Sequence, residues 1–205
     1  MNVASYISAF LTLFVIIDPI AVAPMFMALT QHLAPAQRRA SAIRAILVAA
    51  AVLTVFGLFG EVLLAYAGIS LDAFRISGGL LLFLIAVEML FEKRTQRREG
   101  HAEGGDDPAV FPIAVPLVAG PGAMATMVLL ASQQGGGWDW IVAIHLILFA
   151  VLALTLALFL LAEPVGRLMG RSGINVLTRL FGILLAALAV QIVLDGLGGY
   201  GLTAA

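Results

Sequence analysis

The stretch Asp18-Pro19-Ile20-Ala21-Val22-Ala23-Pro24 lies in the middle of a long apolar run, and its reading decides the fold. From Val3 to Leu29 the one charged side chain is Asp18, and it precedes a proline. Asp followed by Pro reads as a helix start, because the carboxylate accepts from free backbone N–H groups and Pro suits the first turn. That signal falls halfway along a segment long enough to span a bilayer, which takes about 20 residues. A helix that ends and restarts inside lipid leaves backbone groups unpaired, which is tolerated only against protein or a polar cavity. The stretch therefore predicts a broken transmembrane helix built around a site.

An echo follows at Gly120-Pro121-Gly122-Ala123-Met124-Ala125-Thr126. Shifting the chain by 102 residues places Pro19 on Pro121, Ala21 on Ala123, Ala23 on Ala125, Met25 on Met127 and Glu61 on Glu163. With two residues inserted, Arg75 falls on Arg179 and Gly78 on Gly182. The ordered match of Pro, Glu, Arg and Gly predicts an internal duplication.

Composition sets the class. The 205 residues are 62% hydrophobic and 11% charged, with a mean hydropathy of +1.08, far from the balance of a soluble domain. Residues 1–205 read as a single integral membrane domain, with repeat 1 over 1–92, a cytoplasmic linker over 93–109 and repeat 2 over 110–205. There is no cysteine, which excludes disulfides, thiolate metal sites and a Cys nucleophile. No basic region opens the chain, so no cleavable signal peptide is read. No phosphate-cradling GxxxxGK[ST] is present, which argues against ATP-driven pumping. Neither cofactor nor nucleic-acid partner is expected.

Six apolar segments follow, roughly Val3–Leu29, Ala45–Ala67, Asp72–Phe91, Val110–Ser132, Trp140–Ala162 and Val176–Leu197. Basic residues orient them. Of the 11 Lys and Arg, Arg38, Arg39, Arg44, Lys93, Arg94, Arg97, Arg98, Arg167, Arg171 and Arg179 fall on one side, and only Arg75 on the other. The expected loops 31–44, 92–108 and 163–175 are thus cytoplasmic, and both termini are periplasmic. Three segments per repeat invert the second repeat relative to the first, a plan that recurs in secondary transporters. The expected fold is all-α: six transmembrane helices in a 3+3 inverted repeat, with helices 1 and 4 broken. Trp138 and Trp140 read as interface anchors.

Segment 4 carries Pro112, Pro116 and Gly120-Pro121-Gly122. Pro removes a donor, and Gly permits positive φ and close approach, so a second helix restart is expected, with the N–H groups of Gly122, Ala123 and Met124 unpaired. Two restarts facing a shared middle would favour an anion such as a carboxylate. The candidate substrate-binding residues are Asp18, Pro19, Ile20, Ala21, Gly120, Pro121, Gly122, Ala123, Thr126 and Gln191. An acid at mid-bilayer is a functional candidate by default: Asp18 could hold an ammonium, take up a coupling ion, or only cap its helix. Glu88 and Asp195 are further coupling candidates, although they and Glu61 lie near enough to segment ends to reach an interface. Gln191 needs a partner, and helix–helix contact would serve it as well as substrate. Arg75 and Arg179 read mainly as snorkelling residues that tie helix starts to neighbours. His145 stands without metal-ligand spacing to His32 or His101, so no metal site is expected. No catalytic constellation is visible, and the chain is not expected to be an enzyme.

Taken together, Asp18-Pro19…Pro24-Met25-Phe26, Phe74-Arg75-Ile76-Ser77-Gly78-Gly79, Pro116-Leu117-Val118-Ala119-Gly120-Pro121-Gly122, Arg179-Leu180-Phe181-Gly182 and Val190-Gln191…Asp195-Gly196 resemble the MarC family of six-helix membrane proteins, also called the small neutral amino acid transporter family. The resemblance implies a bacterial inner-membrane protein that moves glycine, alanine, serine or threonine, with export reported for some members. Its partners would be that substrate, membrane lipid and a coupling ion, proton or sodium; a homo-oligomer is left open. Many relatives read Asp-Pro-x-Gly-Asn-x-Pro where this chain has Ala21-Val22, so no contact carried by that Asn transfers here. A non-transporting scaffold and a passive channel are the alternatives.

Overall fold

A computed structural model describes residues 3–30, 33–91, 114, 118–133 and 137–199. Its helices are α1 (Val3–Ile17), α2 (Pro19–Thr30), α3 (Pro35–Tyr66), α4 (Leu71–Leu90), α5 (Pro121–Ala131), α6 (Trp138–Leu160) and α7 (Ala162–Gly199). Among the described residues there is no strand. Local chemistry sets the ends. Pro35 opens α3, where a missing N–H costs nothing, and the Gln37 side chain accepts from the Ala34 N–H at 3.1 Å. Gly68, at φ 71, closes α3 in the left-handed conformation that favours glycine, while the Ile69 N–H reaches back to the Leu64 carbonyl at 2.9 Å. Ser70 then caps α4 by accepting from the Ala73 N–H at 3.1 Å.

Five stretches are long and apolar enough to cross a membrane: Val3–Met27, Pro35–Tyr66, Leu71–Leu90, Trp138–Leu160 and Asn175–Gly199. Exposed Leu47, Val55, Phe59, Leu84, Leu146 and Leu184 stud their outer faces, a surface suited to lipid as solvent. α5 is too short to cross alone, and it is buried from Gly122 to Ala131 apart from Met124. Of the expected fourth segment, residues 110–113 and 115–117, with Pro112 and Pro116, lie outside the described residues, as does the linker 93–109.

Two expected loops are largely helix. Residues 163–175 belong to α7, and Pro35–Arg44 to α3. Hydropathy marks only where a helix stops being apolar, and a polar turn continues it at little cost. Pro164 stands in the first turn of α7, where Pro is tolerated.

α5 lies among α1, α3 and α4, while α2 packs on α6 and α7. Glycines let these helices close. A Cβ on Gly60 would collide with the Val128 side chain of α5, and one on Gly57 would stand 2.7 Å from Met127 Cε. Opposite them, Phe26 of α2 stacks on Phe159 of α6, centroids 4.4 Å apart. α4 and α7 run antiparallel: Gly196 faces Asp72 to Ile76, Gly79 faces Ala189 and Val193, and Gly182 faces Ala86 to Leu90. Trp138 is exposed, but Trp140 is buried and donates its indole N–H to the Leu130 carbonyl at 2.7 Å. Trp140 is thus an interior tie that holds the end of α5, not an interface anchor. Indole burial with a satisfied N–H is the alternative use of the same side chain.

Candidate functional site

At Asp18 the chain turns on one residue. The Asp18 N–H bonds to the Phe14 carbonyl at 2.9 Å, continuing α1, and its carbonyl accepts from the Val22 N–H at 3.0 Å, starting α2. Between those bonds Asp18 takes φ 54, the left-handed region that few residues besides Gly, Asn and Asp visit. Its Oδ1 lies 3.4 Å from the Ala21 N–H, beyond the usual length of a strong bond. The side chain is wholly buried, as is Pro19, while Ile20 and Ala21 are half-buried. At the far end of α2, Thr30 Oγ1 donates to the Phe26 carbonyl at 2.7 Å. Arg38 Nε donates to the Thr30 carbonyl at 3.3 Å, a cation at the negative end of the helix dipole.

Gly120, the residue ahead of α5 and the expected second restart, is built differently. It is extended, φ -73 and ψ 166, a conformation open to any residue. Positive φ falls on Asp18 and not on Gly120, so the freedom to take positive φ that Gly brings to this motif is not used at Gly120. Ahead of it the Ala119 N–H reaches the Ala114 carbonyl at 2.8 Å, a widened turn. The Met124 N–H bonds to the Gly120 carbonyl at 3.0 Å, so of the three donors expected to be unpaired Met124 is satisfied. Gly122 and Ala123 remain as the first-turn donors that no helix satisfies internally. Gly122 sits in a crowded place: a Cβ there would stand 2.7 Å from Ile85 Cδ1, the movable end of that side chain, and 3.8 Å from Ile16 Cγ2. That last neighbour, two residues before Asp18, places the second junction against the end of α1. Pro121 is exposed, Gly120 half-buried, and Gly122 and Ala123 buried.

The other candidates gather elsewhere. A cavity of about 170 Å³ is lined by Ser8 and Thr12 of α1, Arg75 of α4, Thr126 of α5, Gln133 just beyond it, and Gln191 and Asp195 of α7, with Leu129, Leu130, Leu188 and Ile192 supplying apolar wall. Thr126 is buried at one end and Gln133 exposed at the other, so the cavity runs inward from the surface along α5. Arg75 bonds to Asp72 at 2.7 Å, and Gln191 Nε2 donates to Asp195 Oδ1 at 2.7 Å.

The candidate residues thus fall into two groups, with Asp18, Pro19 and Gly120 to Ala123 at the junctions and Thr126, Gln191 and Asp195 around the cavity. Glu88 belongs to neither. It lies on α4 roughly 20 Å along the helix from Arg75, taking 1.5 Å per residue. His145 is buried, with Nδ1 2.7 Å from the Ile141 carbonyl, and a Cβ on Gly57 would stand 2.9 Å from its Nε2. Among the described residues no three His, Cys, Asp or Glu converge as a metal site would require. Sequence reasoning missed Ser8, Thr12 and Gln133. The available signal was the four-residue spacing of Ser8 and Thr12, which puts two hydroxyls on one face of an apolar helix.

Comparison with known proteins agrees on the class. The family described as "MarC family integral membrane protein" matches residues 3–200. The chain is similar to the inner membrane protein YhgN of Escherichia coli, 38% identical over 93% of this chain and 95% of that protein. It is also similar to membrane proteins of Methanocaldococcus jannaschii, 39% identical over 97% and 98% of the two chains, and Archaeoglobus fulgidus, 36% identical over 96% of each. No solved structure matches the chain.

Proposed function

The chain belongs to the MarC family of integral membrane proteins, and from the burial of a carboxylate at the Asp18 junction we propose that it is a secondary transporter of small neutral amino acids. The carrying observation is the placement of Asp18: wholly enclosed, between two apolar helices, in a backbone conformation that a non-glycine residue seldom adopts. A charged group in such a place is costly, and it persists where it has a task.

In this reading the first and fourth spans are broken, at Asp18 and at Gly120, and the two halves of the chain form a 3+3 inverted repeat. Support comes from the pattern of contacts between halves. α3 packs on α5 as α6 packs on α1 and α2, and α4 packs on α5 as α7 packs on α1 and α2. The α4–α7 seam repeats itself: Gly79 faces the Ala189 carbonyl and Gly182 faces the Ala86 carbonyl, and 182 − 79 and 189 − 86 both give 103. Matching Arg75 to Arg179 places this segment one residue away from that register, because identity favours the arginines and packing favours the glycines. A twofold-related pair of halves has two equivalent packings, which is what alternating access needs.

The substrate carboxylate would sit on the Gly122 and Ala123 N–H groups, and its ammonium near Asp18, with Ala21 and Ala123 restricting side-chain size. A proton or sodium ion would couple through Asp18. The segments rich in Lys and Arg would face the cytoplasm and both termini the outside, in an inner or plasma membrane like that named for the Escherichia coli relative. Purified protein in proteoliposomes, tested for counterflow against twenty amino acids, should exchange glycine, alanine, serine and threonine saturably. Flux without saturation or counterflow would make it a channel, and no flux of any amino acid would leave it a scaffold.

A further inference from the structure

We propose that the cavity between α1, α4, α5 and α7 is a binding site for a small zwitterion, separate from the Asp18 junction. Arg75 and Asp195 would face its carboxylate and ammonium, and Thr126 would meet it at the inner end. The proposal rests on the transport reading only in identifying the cavity as a station on the substrate's way to the junctions.

The hydroxyl of Thr126 is the first reason. Two buried Thr side chains in this bundle return a hydrogen bond to the carbonyl four residues back, Thr30 Oγ1 to Phe26 at 2.7 Å and Thr155 Oγ1 to Val151 at 2.8 Å. The Thr126 and Thr178 hydroxyls have no partner, and of those two only Thr126 lines the cavity. Thr126 is as deeply buried as the two that bond, 1% exposed. A buried hydroxyl without a partner is unfavourable, and a polar guest would relieve it.

Charge is the second reason. One cationic and one anionic side chain line the same cavity, on the two helices joined by the glycine seam. Arg75 uses its Nη1 on Asp72, and a guanidinium carries five N–H donors, so it can hold a carboxylate as well. Asp195 receives Gln191 Nε2 on Oδ1, and a carboxylate has acceptor sites to spare for an ammonium. Each charge is steadied by a neighbour on its own helix, three or four residues away. Gly196 keeps the two helices close, since a Cβ there would stand 3.1 Å from Arg75 Cβ. Asp195 disfavours a simple anion and suits an ammonium, while the Arg75 N–H groups that Asp72 leaves free can take a carboxylate, so the lining suits a molecule that carries both charges.

Size is the third. A cavity of about 170 Å³ is close to the engineered cavity of about 150 Å³ that takes up benzene. Molecules of that bulk include the smallest amino acids.

The chain has no cysteine, so a single one reports without background. Thr126→Cys, and separately Gln133→Cys at the mouth, would be labelled in membranes with aminoethyl methanethiosulfonate, with Tyr66→Cys on the exposed α3 end as control. L-alanine should slow labelling of the first two about tenfold at ten times its Kd, as mass action requires, and leave Tyr66→Cys unchanged. Propionate and L-alaninamide, each lacking one charge, should not protect. Arg75→Gln and Asp195→Asn should each abolish protection by L-alanine, and Arg75→Lys should restore part of it. Protection by propionate or alaninamide equal to that by alanine would overturn the proposal. So would protection that survives both neutralising variants, or none at either reporter. Because labelling reads occupancy and not flux, protection without counterflow would keep this site and remove the transport reading. Counterflow without protection would do the reverse.

Discussion

The junctions at Asp18 and Gly120 look alike in sequence, each ahead of a proline in an apolar segment, but are built on different physics. Gly120 is extended, a conformation that any residue could adopt, and two residues on, Ile85 and Leu82 crowd the space that a Cβ on Gly122 would take. Asp18 bends through positive φ, where glycine would be the unstrained choice, and the chain nonetheless keeps a carboxylate. One junction is shaped by packing. At the other, backbone strain accompanies a particular side chain, which is why the function is argued from Asp18.

That contrast can be broken by substitution. Gly122→Val should have the largest effect on folding, because overpacking a tight site costs about 1–3 kcal/mol and the branch would meet Ile85, Leu82 and Ile16 together. Thermal unfolding in detergent should show it, and an unchanged midpoint would mean the contact around Gly122 is loose. Next comes Asp18→Ala against Asp18→Gly. Both remove the carboxylate, so their difference isolates the backbone, and the alanine variant should be less stable by about 1–2 kcal/mol, the cost of the left-handed conformation for a residue with a Cβ. Equal stability would mean that Asp18 need not stay at positive φ. Gly120→Ala should be the smallest change, within about 0.5 kcal/mol, since φ -73 admits alanine. A large loss there would show that this junction too depends on glycine.

Much of this was legible in the sequence, for stateable reasons. The apolar runs and the Asp18 junction carry signals that depend on one residue or a short window. Gly57 and Gly60 carry no such signal, and at Gly122, which the Gly-Pro-Gly motif does mark, a glycine chosen for space looks the same as one chosen for φ. The helical stretches 35–44 and 163–175 look like loops in the sequence because polarity marks the edge of lipid, not the end of a helix. Trp140 could not be placed at the interface or inside until its N–H partner, Leu130, was in view. The cavity residues come from four separate helices; Thr126, Gln191 and Asp195 are candidates in the sequence already, and what the structure adds is that the Thr126 hydroxyl does not bond as those of Thr30 and Thr155 do.

The most direct test of the role given to Asp18 is counterflow of glycine and alanine in proteoliposomes, the parent protein beside Asp18→Asn at matched reconstitution. Asn caps a helix about as well as Asp and tolerates positive φ, so the variant keeps the bend and loses the charge. The parent should exchange both amino acids saturably and Asp18→Asn should not, although it folds. Equal exchange by the two proteins would contradict this, leaving Asp18 as a helix cap and nothing more.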